Sequence, residues 1–544
     1  MVNTTVERPL VISGVRLTYH LSFFSVAVLI LLAGTNAGAA DLTPVEGIIP
    51  AATKLGANAD TAYWKLLPTI DLTETYTDNV RLLSSGKEEG ATITQISPGL
   101  TITSNGPRFK LHLNYVMQNS YYSGDTNETR TNHLLHANTN LAFVENLLFV
   151  EGKASIAQHN LTPFGQVAES NLNLTDNQVE VRTYGISPYF QKNFNNNFTG
   201  ELRYSYDSVT SDAKASANTN STADTVHLTL KNGSAFKTIN WGLTYDRQET
   251  HFEKHAPLET DMTTLNFDYY LSRSFRLTST AGHEKNSYVS LGEKPPGSFG
   301  TIGFAWVPNQ RTSLIFNAGQ RFYGTTYALT FNQRARMSVW SLGYNENVTT
   351  TRGQFLLPAA EDTSAFLNRL WETTIPDATS RQQTVDNFIR DSNLPASLSQ
   401  PINTFTNQVF LQKSLQGSIG LTGVKNTIVL NLYNNLREPL STGGVDVILN
   451  PSLLRKVRQT GANTLWNFQF SPRTNASINA AYSKAETLDT ALVVNTKTYR
   501  ASISRQMQKK MKASLEVRHL QSDSTLVNGN YKENAVTLYF LLGF

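Results

Sequence analysis

The chain alternates. In the stretch from Phe109 to Met117, apolar side chains fall at Phe109, Leu111, Leu113, Tyr115 and Met117, with Lys110, His112 and Asn114 between them. Leu202, Tyr204 and Tyr206 interleave with Arg203, Ser205 and Asp207. The same two-residue period marks Trp241, Leu243 and Tyr245, then Leu265, Phe267, Tyr269 and Leu271, and late in the chain Ala513, Leu515 and Val517. A period of two predicts strands with one greasy face and one polar face. One such strand says little. A long succession predicts a sheet whose single face is apolar everywhere.

The links between strands carry a second pattern. Short, turn-like links fall at 105–108, 144–146, 191–197, 231–234, 272–274, 308–311, 333–336, 424–426, 471–473 and 508–510. Between them lie mostly longer polar links at 79–91, 123–132, 159–177, 208–224, 251–260, 285–297, 349–404, 439–460, 487–494 and 522–531, with a short exception at 322–325. Short and long links keep phase throughout, which is the asymmetry of a bacterial membrane barrel with tight periplasmic turns and longer outer loops. The expected fold is all-β: a transmembrane antiparallel up-and-down barrel of about 22 strands, within a range of roughly 18 to 24. The last strand places Val536, Leu538, Phe540, Leu542 and Phe544 on one apolar face. A terminal aromatic on such a strand resembles the signal read by the barrel-assembly machinery of the outer membrane. That strand is expected to close the cylinder against the first, near 66–76. Lipid leaves a sheet no other way to satisfy its edge groups.

Composition sharpens this reading. Charged residues make up 16% and hydrophobic residues 40%, with 22 Tyr, 27 Phe and a mean hydropathy of −0.29. A helical membrane protein is far more apolar and a soluble enzyme usually more charged. There is no cysteine, so thiol catalysis, disulfides and an acylated-cysteine anchor are excluded. The net charge of +4 is too small to predict nucleic-acid binding. At the start, Arg8 and Arg16 precede an apolar run over 21–33, followed by an A-x-A site at Ala37 and Ala39. This predicts a signal peptide over 1–40, cleaved after Ala39 or Ala40. A periplasmic segment, 41–65, and the barrel, 66–544, follow. The aromatic girdles have Tyr121, Tyr122, Trp241, Trp306, Trp340 and Trp466 as candidates.

One link is too long for a hairpin. Within 349–404, Ala365, Phe366, Arg369, Leu370 and Trp371 have helical spacing, and Asp386, Phe388, Ile389 and Arg390 suit a second short helix. This predicts a partly helical insertion, either folded into the lumen or capping it outside. In the first case Phe366, Arg369, Trp371, Phe388 and Arg390 form the constriction. Barrels of 16 to 18 strands hold an aqueous channel and those of 22 are plugged. The segment 41–65 is too short for a globular plug, which leaves this insertion as the candidate.

The opening strands resemble a named family. Residues 67–80 read Leu-Pro-Thr-Ile-Asp-Leu-Thr-Glu-Thr-Tyr-Thr-Asp-Asn-Val and are followed by Ile-Ser-Pro-Gly-Leu at 96–100. Further on come Tyr-Gly-Thr-Thr-Tyr at 323–327 and Arg-Ala-Arg-Met-Ser-Val-Trp-Ser-Leu-Gly-Tyr-Asn-Glu at 334–346. The chain is similar over nearly its whole mature length to the PEP-CTERM system-associated outer membrane protein family. The resemblance implies a setting of exopolysaccharide production and exosortase-type sorting, and no catalytic residues.

Catalytic motifs are absent from the sequence: there is no nucleophile elbow, no His-Glu-x-x-His and no phosphate-cradling glycine loop. His283 beside Glu284 reads as a solvated rim pair, Glu88–Glu89 as loop charge, and Asp71, Glu74 and Asp78 as polar lumen wall. No enzyme, cofactor or metal is expected. The expected partners are outer-membrane lipid and lipopolysaccharide, the barrel-assembly machinery, and exopolysaccharide or polymer-export proteins. Four functions fit to different degrees: a passive or gated conduit, a non-transporting scaffold holding polymer or sorted proteins, an outer-membrane enzyme, and a soluble β-rich adhesin.

Overall fold

The computed structural model describes residues 64–544 except 125, 195, 213–219, 234, 254–255, 288–296, 357–362, 442–454 and 528, and between 373 and 407 it describes only 375, 381, 384, 385, 388 and 405. The predicted leader, with Ala37, Ala39 and Ala40, lies outside the described residues, as does Arg390.

The strands are β1 (Trp64–Thr77), β2 (Ala91–Asn105), β3 (Phe109–Gly124), β4 (Thr129–Val144), β5 (Leu148–Asn160), β6 (Gln178–Phe194), β7 (Phe198–Ser211), β8 (Ser221–Asn232), β9 (Ile239–Phe252), β10 (Leu258–Tyr270) and β11 (Phe275–Asn286). They continue as β12 (Ser298–Asn309), β13 (Thr312–Arg321), β14 (Gly324–Arg334), β15 (Ser338–Thr350), β16 (Val409–Thr422), β17 (Asn426–Pro439), β18 (Val457–Ser471), β19 (Thr474–Thr487), β20 (Val493–Gln508), β21 (Met511–Ser524) and β22 (Tyr531–Gly543). Each strand pairs antiparallel with its sequence neighbours, and β1 pairs with β22, so the 22 strands form one closed barrel. Among the described residues two helices follow β15: α1 (Thr351–Leu356) and α2 (Thr363–Trp371). Among the described residues no helix is long and apolar enough to cross a membrane, which says nothing against crossing by strands.

Closure joins Leu72 to Phe540, Ile70 to Leu542 and Tyr76 to Val536 on one face. On the other face Thr75 Oγ1 donates to Thr537 Oγ1 at 3.0 Å and Thr77 Oγ1 to Glu533 Oε1 at 2.9 Å. The Phe544 amide donates to the Pro68 carbonyl at 3.1 Å, so the final residue is itself held by the first strand. We call the end with Trp64 and Phe544 the near end, where the links from 105–108 to 508–510 lie, and the opposite one, which also holds the two-residue link 322–323, the far end.

The two faces divide as the alternation requires. Leu66, Leu202, Leu265, Ile302, Leu432 and Ile478 point outward and are exposed. Apolar exposure right round a cylinder is the surface that hydrocarbon stabilises and water does not. Trp306, Trp340 and Trp466 are exposed toward the near end, and the Trp466 indole donates to Asn426 Oδ1 at 2.9 Å. Tyr76, Tyr121, Tyr327 and Tyr499 are exposed outward closer to the far end. Tyr122 departs from the girdle expectation. It shares the inner face with Ile93 and is buried, with its hydroxyl on the Leu172 carbonyl at 3.0 Å. Adjacent strand residues face opposite ways, so Tyr121 and Tyr122 cannot both be outside.

The same parity divides the early acidic residues. Asp71 pairs with Ser97 on the inner face, but Glu74 pairs with Leu538 outside and accepts from Thr94 Oγ1 at 2.8 Å. Asp78 leaves the strand and holds the Asn534 amide and side chain. His283 and Glu284 are likewise on opposite faces: Glu284 is paired inside with Arg321, while His283 lies near Ser298 outside. Between β13 and β14 the link is only Phe322–Tyr323. Gly324 opens β14 at a φ of 121°, a backbone state that side chains disfavour.

Candidate functional site

The inner face is polar wherever the wall stands alone. On β3 and β4, Lys110, His112, Asn114, His136 and Asn138 are exposed toward the lumen. Several charged inner residues are matched within or across strands. Arg203 Nη1 meets Glu151 at 2.5 Å and its Nε meets Glu201 at 3.0 Å, with the guanidinium 4.0 Å over the Tyr189 ring. Arg518 Nη2 meets Glu533 at 2.9 Å in full burial, and Arg321 pairs with Glu284. A buried ion pair repays its desolvation better when further hydrogen bonds reach its charged groups. Glu533 has such bonds, accepting also from Thr77 and from Asn173 Nδ2 at 2.8 Å.

Two connecting segments enter this lumen from the far end. The first is the 17-residue link between Asn160 and Gln178. It is folded on itself by asparagines. Asn177 accepts from the Thr162 amide at 3.0 Å and donates to the Thr162 and Gln166 carbonyls, while Asn160 takes both polar groups of Ala168. The link then reaches much of the wall. Tyr531 on β22 caps the Val167 amide at 2.9 Å, Arg500 on β20 donates to the Glu169 carbonyl at 2.9 Å, and Gln118 on β3 accepts from Asn171 at 3.0 Å. Leu172 and Leu174 pack on Val80, Ile93 and Tyr122, and Phe164 packs on Val457, Ala485 and Val494.

The second segment is the insertion between Thr350 and Val409. Its first helix leaves β15 and crosses the lumen. Gln354 of α1 bonds Gln412 and, at 2.5 Å, Arg437 on the β16–β17 wall. Arg352 Nη2 donates to the Asp207 carbonyl on β7 at 2.7 Å, and Phe355 and Leu356 join Val179, Val181, Val209 and Phe405. One short helix therefore touches walls that stand about ten strands apart in a ring of 22. Burial pushes the Arg352 guanidinium below its ordinary value, an effect opposed by the Asp207 carboxylate.

Deeper in, α2 lies against the near-end wall. Phe366, Leu367, Leu370, Trp371 and Val385 form a cluster with Val339, Val429 and Leu465, which are inner residues of β15, β17 and β18. Their sequence neighbours Trp340, Ile428 and Trp466 are exposed outside, so α2 is inside the barrel. Gly420 on β16 makes the fit: an added Cβ would lie 3.0 Å from both Leu370 methyls and 3.1 Å from Phe366. Arg334 at the foot of β14 pairs with Glu372 just beyond α2. The Phe388 ring meets Trp371 edge-on at 5.0 Å, and Arg369 sits 5.9 Å from the Phe366 ring. Thus Phe366 and Trp371 pack against the wall, Phe388 packs on Trp371, and Arg369 lies beside the cluster.

Sequence reasoning did not single out Leu367, Arg352, Gly420 or the link at 161–177 as lumenal. The link's length was the available signal, since structureless connections beyond about 15 residues are uncommon without a role. Among the described residues no group of three or more His, Asp or Glu is placed to hold a metal ion.

No family model matches the chain, and no curated protein sequence does. Solved structures do. The apoprotein form of the FrpB iron transporter from Neisseria meningitidis (F5-1 variant) aligns with a TM-score of 0.50 at 10% identity, covering 89% of this chain and 81% of that one. The siderophore receptor PirA from Pseudomonas aeruginosa gives 0.44 at 9% identity, over 88% and 80% of the two chains. OccAB4 from Acinetobacter baumannii gives 0.32 at 9% identity, over 90% and 100%. At such identities the likeness is one of fold, and it is the FrpB alignment that carries it.

Proposed function

We propose that the protein is an outer-membrane conduit of a Gram-negative bacterium whose lumen is closed at rest by its own insertion. It serves the export of exopolysaccharide or a related envelope polymer. The carrying observation is the placement of α2 inside the wall, against Val339, Val429 and Leu465. A closed cylinder with an apolar exterior, a polar interior and an internal obstruction is built to control passage. The fold shared with an iron transporter supports transport in general. The polymer rests on the family resemblance at 67–80 and 323–346. Single-channel recording in planar bilayers tests the conduit, comparing the intact protein with a variant in which 357–404 is replaced by a short glycine-serine link. Small or brief openings in the intact protein and large steady ones in the variant are expected. Silence from both would overturn the reading.

A second reading draws on the depth of that same packing. Five side chains of the insertion buried at about 1.5–3 kcal/mol each hold it with on the order of 10 kcal/mol before entropy is counted. A plug so firmly seated suits a permanent scaffold that retains polymer or sorted proteins at the surface. A deletion strain that exports normal amounts of polymer but sheds it would favour the scaffold over the conduit.

A further inference from the structure

The β14–β15 seam carries the shortest ladder in the barrel wall, although the β4–β5 seam also opens toward the far end beyond Leu135↔Ile156. β14 and β15 share six register pairs, from Leu329↔Tyr344 to Arg334↔Val339, where every other seam has at least eight. Both strands continue toward the far end. β14 stays paired with β13 up to Gly324↔Arg321, and β15 with β16 up to Thr350↔Val409. Gly324–Ala328 on one side and Asn345–Thr350 on the other therefore have no ladder between them. Within lipid an open sheet edge is a fault that barrels otherwise avoid.

Three further observations surround this gap. Glu346 is buried, with one oxygen accepting from the Tyr344 hydroxyl at 2.5 Å and the other, Oε2, without a hydrogen-bond partner. Outward at the seam stand Tyr327, Leu342 and Leu415, all exposed, while Thr326, Asn345 and Asn347 share the inner face. A path through the gap thus runs from a mainly apolar exterior, which carries Glu346 on the parity of Leu342 and Tyr344, to a polar interior. Finally, β15 runs directly into α1, so the strand bordering the gap is the stalk of the lumenal insertion.

We propose that the far half of the β14–β15 seam is a lateral portal through which an amphiphile of the surrounding leaflet, a lipid with a phosphate-bearing head, enters the lumen beside the insertion. The proposal rests on the membrane-barrel reading but not on axial conduction. Polar Thr326, Asn345 and Asn347 receive the head group, and Tyr327, Leu342 and Leu415 keep the acyl chain on the outside.

The chain has no cysteine, so engineered pairs report cleanly. In reconstituted vesicles, Asn332→Cys with Ser341→Cys, opposite one another within the ladder, is expected to oxidise fully. Thr326→Cys with Asn347→Cys, above the last register pair, is expected to stay reduced and to be bridged only by a long bis-maleimide. Oxidation of both pairs alike would overturn the gap. A photoreactive benzoylphenylalanine at Asn347, in vesicles of radiolabelled phosphatidylethanolamine, is expected to capture lipid several-fold more than one at the lumenal Asn138 on the opposite wall. Bridging the seam with the bis-maleimide should abolish that excess. Equal capture at both positions, or none at Asn347, would overturn the portal. Planar-bilayer conductance of the bridged protein is read separately, so a failed portal leaves the conduit standing and a silent channel leaves the portal standing.

Discussion

Two segments fill the same lumen by opposite chemistry. The β5–β6 link is fixed mostly by hydrogen bonds, among them Val167 to Tyr531, Asn171 to Gln118, Asn173 to Glu533 and Glu169 to Arg500. The insertion after β15 is fixed at its deep end mainly by an apolar cluster, Phe366, Leu367, Leu370 and Trp371, on Val339, Val429 and Leu465. Each hydrogen bond contributes about 0.5–1.5 kcal/mol net and can be exchanged for water. Each buried large apolar side chain contributes about 1.5–3 kcal/mol and cannot. The link is therefore held by many small, independent ties. The insertion is held by a few large ones that fail together, so it is the segment a single substitution can release.

The comparison is broken most directly by a charge in the apolar cluster. Leu370→Asp places a carboxylate beside Val429 and Leu465 in an apolar cluster, at a cost of several kcal/mol. The insertion should leave the wall, becoming cleavable by protease within 363–371, and conductance should rise toward that of the variant lacking 357–404. The barrel itself should keep its heat-modifiable gel mobility. Leu370→Met should change neither readout. An uncleaved insertion in the aspartate variant would mean that α2 is held by something other than this packing.

Glu533→Gln comes next in size. Glu533 serves the link through Asn173, the closing seam through Thr77, and Arg518 through a fully buried ion pair. Removing its charge leaves Arg518 buried with a poorer partner, at about 3–5 kcal/mol. The midpoint of heat-induced mobility change should fall, and the link at 161–177 should become protease-sensitive. The insertion, none of whose described residues is bonded to Glu533, should stay protected. Equal loosening of both segments would show that they are one unit rather than two.

How much of this was legible beforehand follows the same physical division. The strands were, because alternation is enforced over a whole face: the links at 105–108, 308–311 and 508–510 stand where the chain turns, and Phe540 meets Leu72 across the closing seam. The insertion's apolar residues were also visible, since Phe366, Leu370 and Trp371 on helical spacing had to be covered by something. The link was not. Asn171, Asn173 and Asn177 would satisfy their amides equally well in water or on a lumen wall, so composition gives no direction. Tyr122 and Glu74 were readable by counting parity from Leu113 and Leu72, which separates each from the neighbour it was grouped with. The gap at the β14–β15 seam leaves only a slight mark on the alternation: the period runs on through Tyr327 and Tyr344, and Glu346 alone interrupts the outward apolar set of β15.

Gly420 tests the fit of the insertion with a smaller perturbation. Gly420→Ala puts a methyl group 3.0–3.1 Å from the Leu370 and Phe366 side chains, so both must yield by a few tenths of an ångström. Overpacking of this size costs about 1–3 kcal/mol, offset in part by the strand's preference for alanine over glycine. The expected result is a modest rise in open-channel frequency with no new protease site. Gly420→Leu should approach the Leu370→Asp phenotype.

The smallest effect should come from the link's individual ties. Asn171→Ala removes the 3.0 Å bond to Gln118 while leaving the Asn171 carbonyl available to Asn132 Nδ2. The Asn171 side chain also accepts a longer bond from Gln178 Nε2 at 3.4 Å. Gln118 lies on the lumenal face, where water can replace the lost partner, so the cost is set by the net value of one good bond and one weak one, about 1–2 kcal/mol. Thermal mobility should shift by little and protease protection of the link should persist. Leu172→Ala, one residue along, removes a buried side chain from the cluster with Val80, Ile93 and Tyr122 and should cost about 2–5 kcal/mol. If the alanine at 171 proved as damaging as the one at 172, the ties would be acting cooperatively, and the contrast between a segment held by many weak bonds and one held by a few strong contacts would no longer separate the two halves of the plug.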